Sequence, residues 1–324
     1  IRSLIKKVSS KFPESFKKTL HRAEGFSKGF VSGGTLFEEL GFFYLGPIDG
    51  HSFEHLIPIL KNIKLNKIHK PIFLHVITKK GKGYKPAEDS SDKFHGVNKF
   101  DIATGLSFSR SNKKSFSQVF GETLSAAALE DEKIVAVTAA MTSGTGLNVF
   151  GQKFPNRLFD VGIAEQHAVT MAAGLATEGF KPFVAIYSTF LQRAYDHIIH
   201  DVAIQHLPVV FCLDRSGIAG EDGPTHHGTL DIAYLKCIQD LVLASPKDGN
   251  ELRHLLYTAL DYQGGPFAIR YPKSSSLRFD PHGQAELLPI GSWEIMKTGT
   301  DVALLAVGPQ VFDAMEASVK LSQS

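Results

Sequence analysis

Several side chains in this sequence suit the binding of an anionic substrate beside an aromatic cofactor. Each one follows an apolar run that reads as a buried strand or lies near the end of such a run. They are Glu165 after RLFDVG, Phe190 and Arg193 after PFVAIYS, Asp222 and His226 in the loop GIAGEDGPTHHG after LPVVFCLD, and Arg270 near the end of FAIRYP. A carboxylate, a large ring, an Asp–His loop and two guanidinium groups have the composition of such a site.

Each of these residues also has a purely structural interpretation. Glu165 near a helix start can act only on the helix dipole, and Phe190 among apolar residues can belong to the core. Arg193 can pair with Asp196 or with Glu165 at the surface. The residue types alone therefore support an α/β enzyme with an anionic substrate and leave these interpretations open.

No metal or dinucleotide site is predicted from local motifs. His226 and His227 are adjacent in the chain and point in different directions, and no third ligand lies nearby in the sequence. The glycine-rich stretches GIAGEDG and VSGGT lack the GxGxxG spacing of a dinucleotide fingerprint.

The elements that must position these residues alternate between buried strands and amphipathic helices. From Ser115 onwards the order is helix FSQVFGETLSAAALE, strand IVAVTAA, strand RLFDVG, helix AEQHAVTMAAGLATEG ended by Gly179, strand PFVAIYS, helix LQRAYDHIIHDVAIQH, strand LPVVFCLD, two further helical stretches and strand PFAIRYP. This alternation predicts an α/β fold with a doubly wound parallel sheet. Ligands bind beyond the carboxyl ends of such strands, so the candidate residues are expected along one edge.

The region before Ser115 is less regular. Residues 1–32 are polar and basic, and a short helix or a mobile segment is predicted there. FFYLG predicts a strand, SFEHLIPILKNI a helix capped by Ser52, and PIFLHVIT a buried strand. A long loop follows from Lys79 to about Asn112, and a loop of that length is typical of a functional segment or a linker.

The two ends of the sequence indicate a chain that is cut on both sides. After about Gly291 the segment DVALLAVG and a helix start open a third unit, which stops at Ser324, too soon to close a domain. The sequence begins with Ile1 and shows no signal peptide, so a missing leader or domain stays open.

Composition excludes few classes of protein. A chain of 324 residues suggests about two domains. The formal net charge of +2 gives no reason to expect nucleic acid or a membrane as a partner. No apolar run reaches the roughly 18 residues of a membrane span. Cys212 and Cys237 lack CxxC spacing and are interpreted as reduced core thiols in a reducing compartment.

Several stretches together resemble the 1-deoxy-D-xylulose-5-phosphate synthase family of transketolase-type, thiamine-diphosphate-dependent enzymes. They are LGPIDGHSFEHLI, TKKGKGYKPAE, FHGVNKFD, FDVGIAEQHAVTMAAGLA, YSTFLQRAYDHIIHDVA, DRSGIAGEDGPTHHG and AIRYP, and they follow the family order. The resemblance implies the thiamine-diphosphate-binding fold. It divides the chain into residues 1–110, the last part of the diphosphate-binding domain with a linker, residues 115–285, the pyrimidine-binding domain, and residues 291–324, the start of the C-terminal domain.

The resemblance also implies thiamine diphosphate and Mg²⁺ as cofactors. The family's GDG motif, followed by an asparagine, is absent here, so the metal ligands are expected upstream of this chain and no metal ligand is assigned within it. Glu165 corresponds to the carboxylate that bonds the pyrimidine ring nitrogen and favours the reactive tautomer. Phe190 corresponds to the ring that stacks on the pyrimidine, and Tyr84 to a further cofactor contact.

The implied reaction is the decarboxylating condensation of pyruvate with glyceraldehyde 3-phosphate. Arg193 and Arg270 match phosphate-holding arginines, aided by Tyr187. The resemblance also implies catalytic roles at the substrates for three further residues. His95 matches a histidine that faces the complex of cofactor and pyruvate, on a loop expected to move, and Asp222 and His226 match a pair at the acceptor aldehyde.

The family suggests a homodimer in the cytoplasm, with a plastid location left open. Two alternatives also stay open. The chain can belong to another transketolase-type enzyme, a transketolase or a pyruvate dehydrogenase beta-subunit. It can also be an inactive fragment that acts only as a binding module.

Overall fold

The computed structural model divides the chain into two compact units, residues 1–109 and 110–324. The expectation for residues 1–32 lies outside the part of the chain that the structure describes. The described residues are 35–66, 68–90, 92–97, 99–108 and 113–322. None of the helices in these ranges has the length and apolar character of a membrane span.

The first unit contains a parallel pair of strands with short helices around it. Its elements are α1 (Thr35–Glu39), β1 (Phe43–Asp49), α2 (Phe53–Leu65), β2 (Ile72–Ile77) and α3 (Lys85–Asp89). The strands predicted from FFYLG and PIFLHVIT are β1 and β2, which pair with each other in parallel. The prediction that β2 is buried is wrong, because its residues are only half-buried or exposed in this two-stranded sheet.

Ser52 occupies the N-cap position of α2, as predicted. However, its side chain accepts no capping hydrogen bond from the helix backbone. The long loop after β2 is partly ordered by α3 and by a bridge between Phe100 and Ser107. It therefore has more local structure than the sequence suggested.

The second unit is a six-stranded, wholly parallel sheet in the order β4-β3-β5-β6-β8-β7, with helices on both faces. The predicted doubly wound α/β fold is confirmed. Its strands are β3 (Ile134–Thr138), β4 (Leu158–Asp160), β5 (Lys181–Tyr187), β6 (Val210–Asp214), β7 (Val242–Ala244) and β8 (Phe267–Arg270). Its α-helices are α4 (Phe116–Glu130), α5 (Asn148–Lys153), α6 (Glu165–Thr177), α7 (Ser188–Leu191), α8 (Tyr195–His197), α9 (Asp231–Leu235), α10 (Gly249–Asp261) and α11 (Gln310–Leu321).

Helices cover both faces of this sheet. Successive residues of a strand point to opposite faces, so each strand contributes side chains to two cores. In β5, Phe183 and Ala185 belong to the core that includes α4 and α10. Val184 and Ile186 belong to the opposite core, with α6 and the helical segment after β5. The fully apolar strands seen in the sequence are thus the ones with a helix layer on each side.

Local signals fix the ends of the principal helices. Ser115 and Gln118 form a reciprocal capping box at the start of α4, with Gln118 N 3.2 Å from Ser115 Oγ and Ser115 N 2.9 Å from Gln118 Oε1. Gly179 adopts a left-handed φ of 77° just after α6, which confirms its predicted role as the helix stop.

Two elements differ from the sequence-based predictions. The stretch that includes β7 was interpreted as helical, and its brief apolar run of three residues is too short for periodicity to identify. The helix predicted over LQRAYDHIIHDVAIQH changes geometry along its length. It runs from the 3-10 turn Gln192–Ala194 through α8 to a π-helix, Ile198–Ala203.

DVALLAVG, residues 301–308, forms no strand despite its apolar composition. Val302 and Leu305 are 72% and 81% exposed, and within the described residues no neighbouring strand pairs with the segment. A strand needs a hydrogen-bonded partner and a covered face, and the apolar pattern alone supplies neither.

Candidate active site

Glu165 is the first residue of α6 and lies beyond the carboxyl end of β4. Asp160, the last residue of β4, accepts hydrogen bonds from Ala140 N at 2.8 Å and Gly162 N at 3.0 Å. Gly162 then takes a left-handed φ of 72°, which turns the chain into α6. The turn places the Glu165 side chain inward, where it is only 2% exposed.

Arg193 joins Glu165 to Phe190. Its Nη1 donates to Glu165 Oε1 at 2.8 Å, and its guanidinium lies 5.2 Å from the centroid of the Phe190 ring. The side chain of Arg193 is 52% exposed, so a buried carboxylate is paired with a cation that reaches it from solvent. The ion pair foreseen in the structural interpretation of Arg193 is therefore present, although its carboxylate is buried and not on the surface.

Tyr187, Phe190 and His226 form an aromatic group at the end of β5. The ring centroids of Tyr187 and Phe190 are 5.8 Å apart, and His226 meets Phe190 edge-on at 5.2 Å. Burial raises the pKa of the Tyr187 hydroxyl. Burial, together with the nearby Arg215 and Lys273 cations, lowers the pKa of His226, so its imidazole is mainly neutral at neutral pH.

Asp222 is held between two cations. Its Oδ2 contacts Arg215 Nη1, and its Oδ1 accepts from Lys273 Nζ at 2.6 Å. The Arg215 guanidinium also lies 3.9 Å from the centroid of the Tyr187 ring. Asp222 and the aromatic group are therefore tied together through Arg215.

Arg270 ends β8, as predicted, and its guanidinium is paired within the fold. Its Nε donates to Asp231 Oδ2 at 3.0 Å, and the Asp231 side chain is fully buried at the start of α9. The Arg270 side chain keeps 15% exposure. The structure thus brings Arg193 to Glu165 and Arg270 to Asp231, which are two separate pairs.

Arg215, Lys273 and Asp231 were missed by reasoning from the sequence. Arg215 is the first residue after β6, a position that the rule on strand ends points to. Lys273 follows β8 by three residues. The position just after a strand could have identified both Arg215 and Lys273 as candidates. Nothing in the sequence marks Asp231 as the partner of Arg270.

Tyr84 and His95 lie in the first unit, on the loop after β2. Tyr84 Oη donates to the carbonyl oxygen of Ile102 at 2.7 Å, and its ring packs against Phe94 and Phe100 at 5.7 and 5.9 Å. The His95 side chain is exposed, and its backbone N–H donates to Asp92 O at 3.1 Å. Tyr84 therefore anchors the loop, whereas the imidazole of His95 faces solvent.

The second unit offers groups that fit one half of the expected cofactor. A buried carboxylate at Glu165 and a ring at Phe190, joined by Arg193, suit a protonated aromatic heterocycle that needs an acceptor and a stacking surface. Mg²⁺ does not fit equally well. Over the described ranges, no three His, Cys, Asp or Glu side chains are grouped to hold a metal ion.

Comparison with known families agrees with this arrangement. Residues 112–277, just over half of the chain, match the family described as transketolase, pyrimidine binding domain. Residues 1–78 match the family described as 1-deoxy-D-xylulose-5-phosphate synthase.

The chain is also similar to solved transketolase structures. A split-gene transketolase, described as an inactive beta4 tetramer, is 28% identical with a TM-score of 0.58, and the match covers 65% of this chain and 68% of that one. A Pichia stipitis transketolase with sedoheptulose 7-phosphate is 18% identical with a TM-score of 0.48, over 54% of this chain and 28% of that one. A Pichia stipitis transketolase mutant with fructose 6-phosphate is 18% identical with a TM-score of 0.47, over 52% and 27%.

This chain thus spans little more than a quarter of the two yeast enzymes it matches. The family matches, the parallel sheet and the residues at its carboxyl edge agree with one another. The chain belongs to the transketolase family of thiamine-diphosphate enzymes, with a pyrimidine-binding domain and an N-terminal segment of the 1-deoxy-D-xylulose-5-phosphate synthase type.

Proposed function

We propose that this chain forms part of an enzyme that condenses pyruvate with D-glyceraldehyde 3-phosphate, releasing CO₂ and giving 1-deoxy-D-xylulose 5-phosphate. The observation that carries the proposal is the buried carboxylate of Glu165 at a helix start, linked through Arg193 to the Phe190 ring. The match of residues 1–78 to the synthase family supports this reaction over others of the transketolase type. The product is a precursor for isoprenoids, thiamine and pyridoxal.

Glu165 is proposed to hold a proton at the ring nitrogen of the cofactor's pyrimidine. Thiamine diphosphate, when bound, supplies the carbon centre that attacks pyruvate and stores the electrons released by decarboxylation. A carboxylate that is 2% exposed is shielded from water, so its bond to a protonated ring nitrogen is stronger than in solution. Phe190 provides the stacking face.

Tyr187, Arg193 and Arg270 are proposed to bind the phosphate of the acceptor aldehyde, with Asp222 and His226 at its reacting end. Guanidinium groups suit this task because they donate two parallel hydrogen bonds to phosphate oxygens. Each arginine is paired with a buried carboxylate, so phosphate binding has to share or exchange these contacts. The imidazole of His226, with its lowered pKa, suits the transfer of a proton at neutral pH.

The remaining assignments rest on the family resemblance. Tyr84 is proposed to contact the cofactor, and His95 to act at bound pyruvate on a loop that moves. Residues 1–110, 115–285 and 291–324 are proposed as the end of the diphosphate-binding domain, the pyrimidine-binding domain and the start of the C-terminal domain. Mg²⁺, a homodimer and a cytoplasmic or plastid location belong to the same proposal.

Product analysis tests the proposed reaction against its neighbours in the family. The full-length protein is incubated with thiamine diphosphate, Mg²⁺ and one of three substrate pairs: pyruvate with glyceraldehyde 3-phosphate, a ketose phosphate with a sugar-phosphate acceptor, or pyruvate with a lipoyl acceptor. We expect 1-deoxyxylulose 5-phosphate by mass spectrometry with the first acceptor. Product only with the sugar phosphate or the lipoyl group indicates a transketolase or a dehydrogenase beta-subunit instead.

The second candidate is a binding module without activity of its own. It is favoured by the lack of a metal-ligand group among the described residues. The split-gene relative whose described form is an inactive tetramer supports it as well. Calorimetry of the full-length protein with thiamine diphosphate and Mg²⁺ separates the two, because the module predicts weak or no binding and the enzyme predicts tight binding.

A further inference from the structure

A buried carboxyl group lies directly beneath the candidate site and has no part in the proposed reaction. Asp214 is the last residue of β6, between β5 and β8, and its side chain is fully buried. Ser117 Oγ, from the first turn of α4, donates to Asp214 Oδ2 at 2.6 Å. The other carboxylate oxygen, Oδ1, accepts from Arg215 N at 2.7 Å.

The hydrogen bond to Arg215 N holds an unusual backbone conformation. Arg215 has a φ of 58°, in the left-handed region that non-glycine residues rarely adopt. Such a conformation persists only where its surroundings hold it in place. A carboxylate is a stronger acceptor for this N–H than a neutral group, so the charge on Asp214 helps to keep Arg215 in this conformation.

The conformation of Arg215 decides where its guanidinium lies. From this backbone the side chain reaches Asp222 Oδ2 and covers the ring of Tyr187 at 3.9 Å. Both contacts are with residues proposed to act on the acceptor aldehyde. A change at Asp214 is therefore transmitted to the acceptor end of the site through a single residue.

We propose that Asp214 is a positioning residue that sets Arg215, and through it Tyr187 and Asp222, for binding of the acceptor aldehyde. This inference rests on the proposed function for its substrate, but its geometry concerns this chain alone. Burial raises the pKa of Asp214 to about 6, although the hydrogen bond from Ser117 and the charges of Arg215 and Lys273 act in the opposite direction. The group therefore titrates close to neutral pH.

Other ionisable groups surround Asp214 and have to be separated from it in any pH experiment. Those that face it, from every element packed against it, are Cys212 and Arg215 on or beside β6, Tyr187 at the end of β5, and Tyr271 and Lys273 after β8. Burial raises the pKa of the Tyr187, Tyr271 and Cys212 side chains, so these three stay neutral while Asp214 titrates.

The first test compares Asp214→Asn with the wild-type enzyme over a range of pH. At about pH 8, where the wild-type carboxyl is charged, we expect the KM for glyceraldehyde 3-phosphate to rise on the order of 5-fold, the difference between a charged and a neutral acceptor. The KM for pyruvate should change less. At about pH 5 the wild-type carboxyl is protonated, so the ratio of the two KM values for the aldehyde should approach one.

Both enzymes bind the same substrate, so ionisation of the substrate's phosphate affects both KM values equally and cancels in their ratio. Ser117→Ala provides an independent shift. This variant lacks the hydrogen bond that lowers the pKa of Asp214. The pH at which the KM for the aldehyde changes should therefore be higher in the variant than in the wild-type enzyme. Ser125→Ala is the matched control on the same helix, since Ser125 Oγ donates only to Gly121 O at 2.6 Å, and it should leave the transition in place.

A second readout needs no catalysis. In this chain without substrate, the ¹⁵N NMR signal of the Arg215 Nε should shift with pH around the Asp214 titration, and this component should be lost in Asp214→Asn. A shift caused by His226, whose charge also acts on Arg215, should remain in both proteins. A KM ratio that is constant over pH, or an Arg215 signal that titrates unchanged in Asp214→Asn, overturns the inference. If the wild-type enzyme makes no product but the Arg215 signal follows Asp214, the proposed function fails while the positioning role stands.

Discussion

Two helical glycines in the second unit should respond to the same substitution with opposite signs. Gly121 lies within α4, and a Cβ added there would lie 2.1 Å from the carbonyl oxygen of Gly146. Gly174 lies within α6, and an added Cβ would have no atom within 4 Å. The two sites therefore separate the effect of close packing from that of helix propensity.

The structure sets the size of each effect. Alanine at Gly174 should stabilise the fold by about 0.5–1 kcal/mol, the usual gain for an exposed helical position. Alanine at Gly121 makes the same gain in propensity but forces a backbone oxygen to move by more than 1 Å, so we expect a net loss of about 1–3 kcal/mol. The two variants should therefore differ by roughly 1.5–4 kcal/mol.

Urea unfolding of this chain, followed by far-ultraviolet circular dichroism, measures the difference. We expect a higher midpoint for Gly174→Ala and a lower midpoint for Gly121→Ala, with similar slopes. A midpoint for Gly121→Ala that rises like that of Gly174→Ala would refute the close approach of α4 to the loop at Gly146. That contact matters for the site because Gly144 in the same loop lies against Tyr187.

The other predictions concern the site itself. Gly144→Ala places a Cβ 1.7 Å from Tyr187 Oη, so the tyrosine must move, and we expect a weaker KM for the acceptor aldehyde with a near-normal KM for pyruvate. Arg193→Ala leaves Glu165 buried without its cation and should lower the unfolding free energy by about 1–3 kcal/mol, less than for a wholly buried pair since Arg193 is half exposed. Arg270→Ala should weaken binding of the phosphorylated aldehyde more than that of pyruvate, by about 10-fold or more, in steady-state kinetics. Equal losses for both substrates would show that Arg270 does not hold the phosphate.

The fold was predictable from the sequence where strands and helices are long. α4 was predicted with its bounds, and the serine cap with a glutamine three residues later is a local signal that agrees with its start. β5 and β6 were predicted because strands covered on both sides are apolar throughout. β7, with three residues, gives no such signal.

The site was predictable in its location and less so in its contacts. The rule on strand ends predicted that Glu165, Phe190 and Asp222 lie along the carboxyl edge of the sheet, and in the structure each follows the end of a strand. It could not show that Arg193 pairs with Glu165, since that contact joins two helices in the folded chain. The burial and raised pKa of Asp214 likewise depend on β5, β8 and α4 together, and no local pattern reports them.

The most direct test of the account is the effect of Glu165→Gln on turnover in the full-length protein. Glutamine has the same shape but cannot stabilise a protonated ring nitrogen with a negative charge. We expect the formation of 1-deoxyxylulose 5-phosphate from pyruvate and glyceraldehyde 3-phosphate to fall by about 100-fold or more, as for loss of a group that acts in acid–base catalysis. Glu178→Gln, an exposed glutamate at the other end of α6, is the matched control and should keep wild-type turnover. Turnover by a folded Glu165→Gln variant at the wild-type rate would contradict the assignment of this site to thiamine-diphosphate chemistry.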